Sequence, residues 1–208
     1  MITIVDYGVG NLFSLESGLS SLGLSSEVTG DAERVSRAER IILPGVGAFG
    51  DAMRKLNEKG LSTALQSAAR ARIPILGICL GMQLLFEESH EFGLHEGLGL
   101  IPGAVAPLEN DLREKGFDYK VPHMGWNPLT IKRRDCPLLK YIKDGTHVYY
   151  VHSFYAKNCD RFIAAQSEYG VLTPGLVWNG GVFGSQFHPE KSGTPGLTIL
   201  KAFAEAVL

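Results

Sequence analysis

The stretch that decides the fold is Ile73-Pro74-Ile75-Leu76-Gly77-Ile78-Cys79-Leu80-Gly81-Met82-Gln83. Its first half is a short apolar, β-branched run of the length of a buried strand. Its second half, continuing through Leu84-Leu85-Phe86-Glu87-Glu88, reads as a helix. Cys79 therefore stands at a strand-to-helix corner between two glycines. Such a corner exposes its central side chain, and small neighbours let the chains pass closely, as in the Gly-x-Ser-x-Gly nucleophile elbow. Two effects favour chemistry here. Free N–H groups at a helix start favour a thiolate, and the N–H of Leu80 is free to bind a developing oxyanion. A lone cysteine is more often a small buried hydrophobe. A strand interior, however, has little reason to carry glycine on both sides of it.

Upstream, strands and helices alternate. Ile2, Ile4 and Val5 form a strand ending at Asp6, and Tyr7-Gly8-Val9-Gly10-Asn11 follows as a loop. Leu12, Leu15, Leu19 and Leu22 share one helical face, with Asn11 as N-cap. The two glycines do not make a dinucleotide loop, because the third glycine of G-x-G-x-x-G is missing. Ser26–Thr29 is a weak strand, Asp31–Arg37 a short helix capped by Asp31, and Arg40–Leu43 a third strand running into Pro44-Gly45-Val46-Gly47. Helices then cover Met53–Glu58 and Ser62–Arg72. This alternation predicts an α/β fold with a mainly parallel central sheet and helices on both faces. Ligands in such sheets gather beyond the carboxyl ends of the strands. Asn11, the Gly45 loop and Cys79 all fall at such ends.

Downstream the pattern changes. Gly93–Gly103 is glycine-rich, and Pro122-His123-Met124-Gly125-Trp126-Asn127 reads as a loop. Ala104–Leu108, Phe117–Val121, Leu129–Lys132, Thr146–His152, Phe162–Glu168, Leu176–Asn179 and Val182–Phe187 are short strand-like runs. They extend the sheet with antiparallel strands and hairpins. A last helix spans Pro195–Val207, with Leu197, Leu200, Ala204 and Val207 on one face.

The 208 residues are 45% hydrophobic and 20% charged, which suits one globular domain over 1–208. A net charge of -2 points to neither nucleic acid nor a membrane surface. The longest apolar runs are far too short to span a bilayer. Met1–Asp6 lacks the basic-then-apolar pattern of a signal peptide. Cys79, Cys136 and Cys159 make neither a paired framework nor a CxxC spacing, so a reducing cytoplasm is expected, with no structural metal.

A thiol nucleophile needs a base, and the base an orienter. Among His90, His95, His123, His147, His152 and His188, the last has the best context, Gln186-Phe187-His188-Pro189-Glu190. In extended chain, His188 and Glu190 project to the same side. A carboxylate there holds one imidazole tautomer and stabilises the imidazolium. His152, ending the apolar run Val148–Val151, is the serious competitor. The implied chemistry is acyl transfer at Cys79, with His188 as base, Glu190 as orienter, and Leu80 and a loop N–H from Val46 or Gly47 as oxyanion donors. Glycines at 45 and 47 would let that loop change peptide orientation and act as a switch.

Gly77–Gln83 and Gln186–Glu190 resemble the two signatures of the class I, triad-type glutamine amidotransferases, and Pro44–Gly47 is similar to that family's oxyanion strand. Asp6–Leu12, Pro122–Asn127 and His188–Gly193 resemble, within it, the glutaminase subunits of imidazole glycerol phosphate synthase. The resemblance implies a three-layer class I amidotransferase fold. It implies hydrolysis of glutamine to glutamate and ammonia, with no cofactor. It also implies a heterodimer with a (β/α)8-barrel cyclase subunit, to which the ammonia passes for making imidazole glycerol phosphate and aminoimidazole carboxamide ribotide. Cys79, His188 and Glu190 carry over as the triad. Gly47, Gln83, Ser153 and Phe154 carry over as substrate contacts. Phe154 stands where the family has Tyr, so a hydroxyl contact is lost and backbone contacts remain. Asn11, Trp126 and Lys191 carry over as partner-facing residues. The alternatives are a glutaminase serving another synthase, a γ-glutamyl hydrolase, or a catalytically silent subunit on the same fold.

Overall fold

A computed structural model describes residues 1–207. The chain opens with β1 (Ile2–Val5), α1 (Leu12–Ser21), β2 (Ser26–Thr29), α2 (Ala32–Ser36), β3 (Ile41–Gly45), α3 (Phe49–Glu58), α4 (Leu61–Arg70), β4 (Ile75–Cys79) and α5 (Leu80–Leu84). It continues with β5 (Phe86–Ser89), β6 (His95–Glu96), β7 (Ile101–Pro107), α6 (Leu108–Glu114), β8 (His123–Pro128) and β9 (Thr130–Ile131). It closes with β10 (His147–His152), β11 (Phe154–Lys157), β12 (Ile163–Tyr169), β13 (Val171–Asn179), β14 (Val182–Ser185) and α7 (Gly193–Glu205).

The main sheet has eight strands in the order β2-β1-β3-β4-β14-β13-β12-β9. β2, β1, β3, β4 and β14 are parallel; β13, β12 and β9 continue antiparallel. The expected α/β architecture, parallel first and antiparallel later, is what the chain forms. Strand alternation explains the two cores. Ile2, Ile4, Ile42, Leu76 and Ile78 point to one face and meet Leu15 and Leu19 of α1 and Ile199, Leu200 and Phe203 of α7. Val5, Ile41, Leu43 and Ile75 point to the other and meet Val35, Phe49, Leu56, Leu61 and Leu65 of α2, α3 and α4. Two smaller sheets, β10-β8 and β11-β7-β5-β6, flank the carboxyl end of β4.

Several expected elements change. The helix after Cys79 is only five residues long, and the run that was expected to extend it becomes β5. Pairing makes it a strand: Phe86, Glu88 and Ser89 pair with β7, and Glu88 and Ser89 pair with β6 on the other edge. Leu108, expected to end the strand from Ala104, instead opens α6: Leu108 and Leu112 are buried one turn apart and Arg113 bridges to Glu109. Phe117–Val121 is not a strand; its rings pack as Phe117 on Tyr119 and Tyr119 on Tyr169. Pro122–Asn127 is not a loop: His123–Asn127 forms most of β8, paired along its length with β10. Its prolines and glycine hide a strand in which His123 faces in and Met124 and Trp126 face out. Strand Leu129–Lys132 shrinks to the two residues of β9. Val207, expected on the buried face of the last helix, lies beyond α7 and is exposed; Ile199 and Phe203 supply that face instead.

Candidate active site

The elbow at Cys79 is a backbone crossing that only glycine permits. Cys79 itself sits at φ 54°, ψ -111°, a conformation a non-glycine residue holds only when its surroundings enforce it. A Cβ on Gly77 would stand 2.5 Å from the Gly81 carbonyl oxygen, and one on Gly81 would overlap the Leu43 carbonyl oxygen. The start of α5 is thus pressed against the ends of both β3 and β4. Gly45 is held equally closely: a Cβ there would meet the Tyr7 hydroxyl at 2.5 Å and the Gly81 nitrogen at 3.0 Å. That hydroxyl donates to the Pro44 carbonyl at 2.9 Å, fixing the base of the 44–47 loop. Beyond that base the loop is free. Gly47, at φ +100°, has nothing within 4 Å of where a side chain would be, and Val46 is exposed.

His188 and Glu190 come together, though not by the route expected. His188 is extended, but Pro189–Lys191 forms a 3-10 turn rather than extended chain, with Pro189 preset for its first position. The turn brings Glu190 Oε1 to 2.8 Å from His188 Nδ1, with both side chains almost fully buried. The backbone is pinned from both sides: the His188 N–H donates to the Tyr149 carbonyl, and Ser192 Oγ donates to the His188 carbonyl at 2.7 Å while accepting the Tyr149 N–H. No group meets hydrogen-bond geometry at His188 Nε2 among the described residues. The Cys79 thiol is nonetheless close enough to affect it. Burial pushes the imidazole pKa down, but Cys79 and Glu190 outweigh it and raise it to about 9. A loose thiol–imidazole contact is usual before substrate binds and tightens afterwards.

Cys79, His188, Leu80, Val46, Gly47, Gln83, Ser153, Phe154 and Lys191 line one cavity of about 400 Å³, within the range of small-ligand sites. Every substrate-contact residue predicted from sequence is therefore on its wall. Gln83 donates through Nε2 to the Phe154 carbonyl at 2.9 Å, so the backbone of position 154 is tied to a second wall residue. Glu190 and Asn11 line a much smaller adjoining space behind the imidazole. Asn11 Oδ1 caps α1 by accepting the Ser14 N–H, and the residue is exposed. Trp126 is 53% exposed on β8, and Lys191 is exposed at the cavity rim.

Glu91, Phe92 and Gln186 escaped the sequence reading of the site, and His152 entered it only as the competing base. Glu91 accepts the Phe49 N–H at 2.6 Å at the start of α3, and burial raises its carboxyl pKa. Phe92, 87% exposed, packs edge-on against Phe154. Both stand in the segment between His90 and His95, which has no periodic signal. Gln186 is fully buried with its amide nitrogen 3.9 Å from Cys79 Sγ. His152, the rejected base, lines the cavity as well. Burial, then the adjacent His123, pushes His152 down to about 3; burial lowers His123 too. His123 Nδ1 lies 3.0 Å from His152 Nε2, a partnership invisible while His123 is placed in a loop.

The model of the family described as glutamine amidotransferase class-I matches residues 3–207. The chain is a class-I glutamine amidotransferase. The amidotransferase is 49% identical over 204 residues to the imidazole glycerol phosphate synthase subunit HisH of Geobacter metallireducens, covering 98% of this chain and 97% of that one. It is 49% identical over 205 residues to the subunit of the same name from Listeria monocytogenes, covering 99% and 95%. Its fold is shared with the PurLQS structure from Thermotoga maritima, at a TM-score of 0.74, 21% identity and 98% and 97% coverage. It is also shared with the glutaminase domain of Trypanosoma brucei CTPS, at a TM-score of 0.67, 19% identity and 100% and 94% coverage.

Proposed function

We propose that this amidotransferase is the glutaminase subunit of an imidazole glycerol phosphate synthase, a single domain acting through Cys79, His188 and Glu190. The observation that carries the chemistry is the buried His188–Glu190 pair at 2.8 Å beside a cysteine on a glycine-walled elbow. His188 Nε2 takes the thiol proton as Cys79 Sγ attacks the side-chain amide carbon of glutamine. The N–H of Leu80 and an N–H of the Val46–Gly47 loop hold the oxyanion. His188 returns the proton to the departing nitrogen, ammonia leaves, and a thioester remains. Water, deprotonated by His188, attacks the thioester; glutamate leaves and the thiol is restored. Glu190 holds the imidazole in one tautomer and stabilises its charged form. Gln83, Ser153 and the Phe154 backbone line the substrate's position.

The identity of about half the residues to subunits named for this synthase, over nearly the whole chain, supports histidine biosynthesis as the setting. We infer a heterodimer with a (β/α)8-barrel cyclase that receives the ammonia. Exposed Trp126 and Lys191, with Asn11 at the cap of α1, would face it, close to the triad. A Gly47 with nothing around it is suited to a loop whose N–H turns toward the oxyanion only when the partner is loaded. Among the described residues no helix is long and apolar enough to cross a membrane, and we place the protein in the cytoplasm.

The test is glutamate release from glutamine by the chain alone, then with a cyclase subunit and its nucleotide ligand. Weak activity alone with strong stimulation by the liganded cyclase is expected. High activity alone with no stimulation would overturn the partner, and no activity in either case by a folded chain would overturn the reaction. Cys79→Ala should abolish glutamine hydrolysis while ammonia-dependent synthesis by the cyclase persists.

A further inference from the structure

One hydrogen-bonded chain joins Gln83 and the Phe154 backbone to His152, His123 and Gln186, which none of the steps above uses. It starts at the Phe154 carbonyl, which lies 2.9 Å from His152 Nδ1 and 2.9 Å from Gln83 Nε2. A backbone carbonyl can only accept, so both nitrogens must present hydrogens to it. This single fact orients everything attached. The Gln83 amide nitrogen, so directed, is also 3.1 Å from Gln186 Oε1. The Gln186 oxygen therefore faces Gln83, and its NH2 faces the other way, toward Cys79 Sγ at 3.9 Å. Flipping Gln83 would set its oxygen against the Phe154 carbonyl; flipping Gln186 alone would set two NH2 groups against each other.

On the opposite side of the same carbonyl, neutral His152 carries its proton on Nδ1 and leaves Nε2 bare. His123 Nδ1, 3.0 Å away, must then be the donor. His123 is held by rings stacked on both its faces, Tyr150 at 4.7 Å and Tyr169 at 4.1 Å. Gln186 and His123 have no measurable exposure, and Gln83 and His152 have 5% and 6%. Gln186 and His123, out of reach of water, cannot relax by solvation, which leaves their orientations set by these partners.

We propose that Gln186 is a donor to the Cys79 sulfur, its amide aimed by the Phe154 carbonyl through Gln83, with the His123–His152 pair locked behind that carbonyl as a positioning device. The proposal rests on the reading of Cys79 as the nucleophile. In the thiol form the sulfur has another partner, donating to the Val151 carbonyl at 3.8 Å. Once its proton has moved to His188 Nε2, that carbonyl becomes a poor neighbour. The sulfur, now negative, needs an N–H, and a hydrogen bond to an ionised group is the stronger kind. Gln186 supplies it without adding a second charge to the site. His152 serves because it stays neutral while His188 becomes the imidazolium.

The test uses the full chain in two arms. In the first, the pH profile of Cys79 alkylation by iodoacetamide is compared with Gln186→Met, which keeps the volume and removes the donor. The profile should move to higher pH and kcat for glutamine should fall about tenfold with little change in KM, the low end for a hydrogen bond to an ionised group. A superimposable profile would overturn the proposal. The second arm needs no substitution, so it decides the matter if Gln186→Met does not fold. Nitrogen-15 spectra of the wild type should show His123 and His152 both neutral with the proton on Nδ1, and the Gln186 side-chain amide should shift when Cys79 ionises. A proton on His152 Nε2, or a Gln186 amide indifferent to Cys79, would overturn it. Neither the alkylation profile nor the spectra depend on glutamine, so a loss of the glutaminase reading alone would leave these outcomes intact.

Discussion

His188 and His152 line the same cavity, are buried to nearly the same degree, and each bonds through Nδ1 to an oxygen at 2.8 or 2.9 Å. Their basicities nevertheless diverge, to about 9 for His188 and about 3 for His152. Burial acts in the same direction on both. What differs is the oxygen and the neighbour: a carboxylate and a thiol for His188, a neutral carbonyl and another imidazole for His152. An imidazole in a low-dielectric wall becomes a base only where an anion shares its pocket. The same hydrogen-bond geometry to a carbonyl makes a rigid neutral donor instead. The thiol and the carboxylate at His188, against an imidazole and a carbonyl at His152, thus set the two histidines apart, and the proposed reaction would give them opposite tasks.

That contrast breaks first, and by the largest margin, under direct replacement. His188→Ala should lower kcat for glutamine by a factor on the order of 10⁴ or more, as for the general base of a catalytic triad. His152→Gln, which can still donate to the Phe154 carbonyl, should stay within about tenfold, the scale of one hydrogen bond. Steady-state glutamate release in the presence of the liganded cyclase measures both. The reverse ranking would mean that His152 is the base.

The next effect isolates the carboxylate. Glu190→Gln keeps an oxygen facing Nδ1 and removes the charge, making the His188 environment resemble that of His152. The kcat should fall by about 10²–10⁴, the range set by neutralising a triad acid. The His188 imidazole, followed by NMR titration, should lose much of its elevation above the ordinary histidine value. If it stayed near 9 after this substitution, Cys79 rather than Glu190 would be holding it there.

The contrast also shows what a sequence can reveal. The His188–Glu190 pairing was legible because the two residues are two apart, although a 3-10 turn rather than extended chain joins them. Cys79 was legible because both glycines are forced by the crossing of α5 over β3 and β4. The parallel half of the sheet was legible because its apolar runs alternate with helices of clear period. His152 and Gln186 were not, since their partners, His123 and Gln83, are 29 and 103 residues away and only the fold joins them. β8 was hidden because Pro122, Gly125 and Pro128 interrupt its pattern, while β10 enforces the strand by pairing. β5 was hidden because two glutamates after an apolar run suit a helix as well as a strand, and β7 decides between them.

The smallest effect is on stability, and there the two histidines pull in opposite directions. His152 is harder to protonate folded than unfolded, so the unfolded chain binds more protons between about pH 3 and 6.5. Its contribution is present above 6.5 and drains away as the pH falls toward 3. His188 is easier to protonate folded, so its contribution is complete below 6.5 and is lost as the pH rises through about 9. The two limbs meet near the ordinary histidine value, and their combined contribution is largest there. Urea unfolding from acid to mildly alkaline pH should show it, each limb amounting to about 1–3 kcal/mol, below the ceiling the full shifts would give at 1.36 kcal/mol per unit. Other groups also bend the curve, so the decisive reading is the difference from each variant. His152→Gln should flatten the acid limb and leave the alkaline one; Glu190→Gln should do the opposite. If either variant flattened the other's limb, the charge of the Nδ1 partner would not be what separates the two histidines, and the assignment of base and positioning residue would have to rest on the cysteine alone.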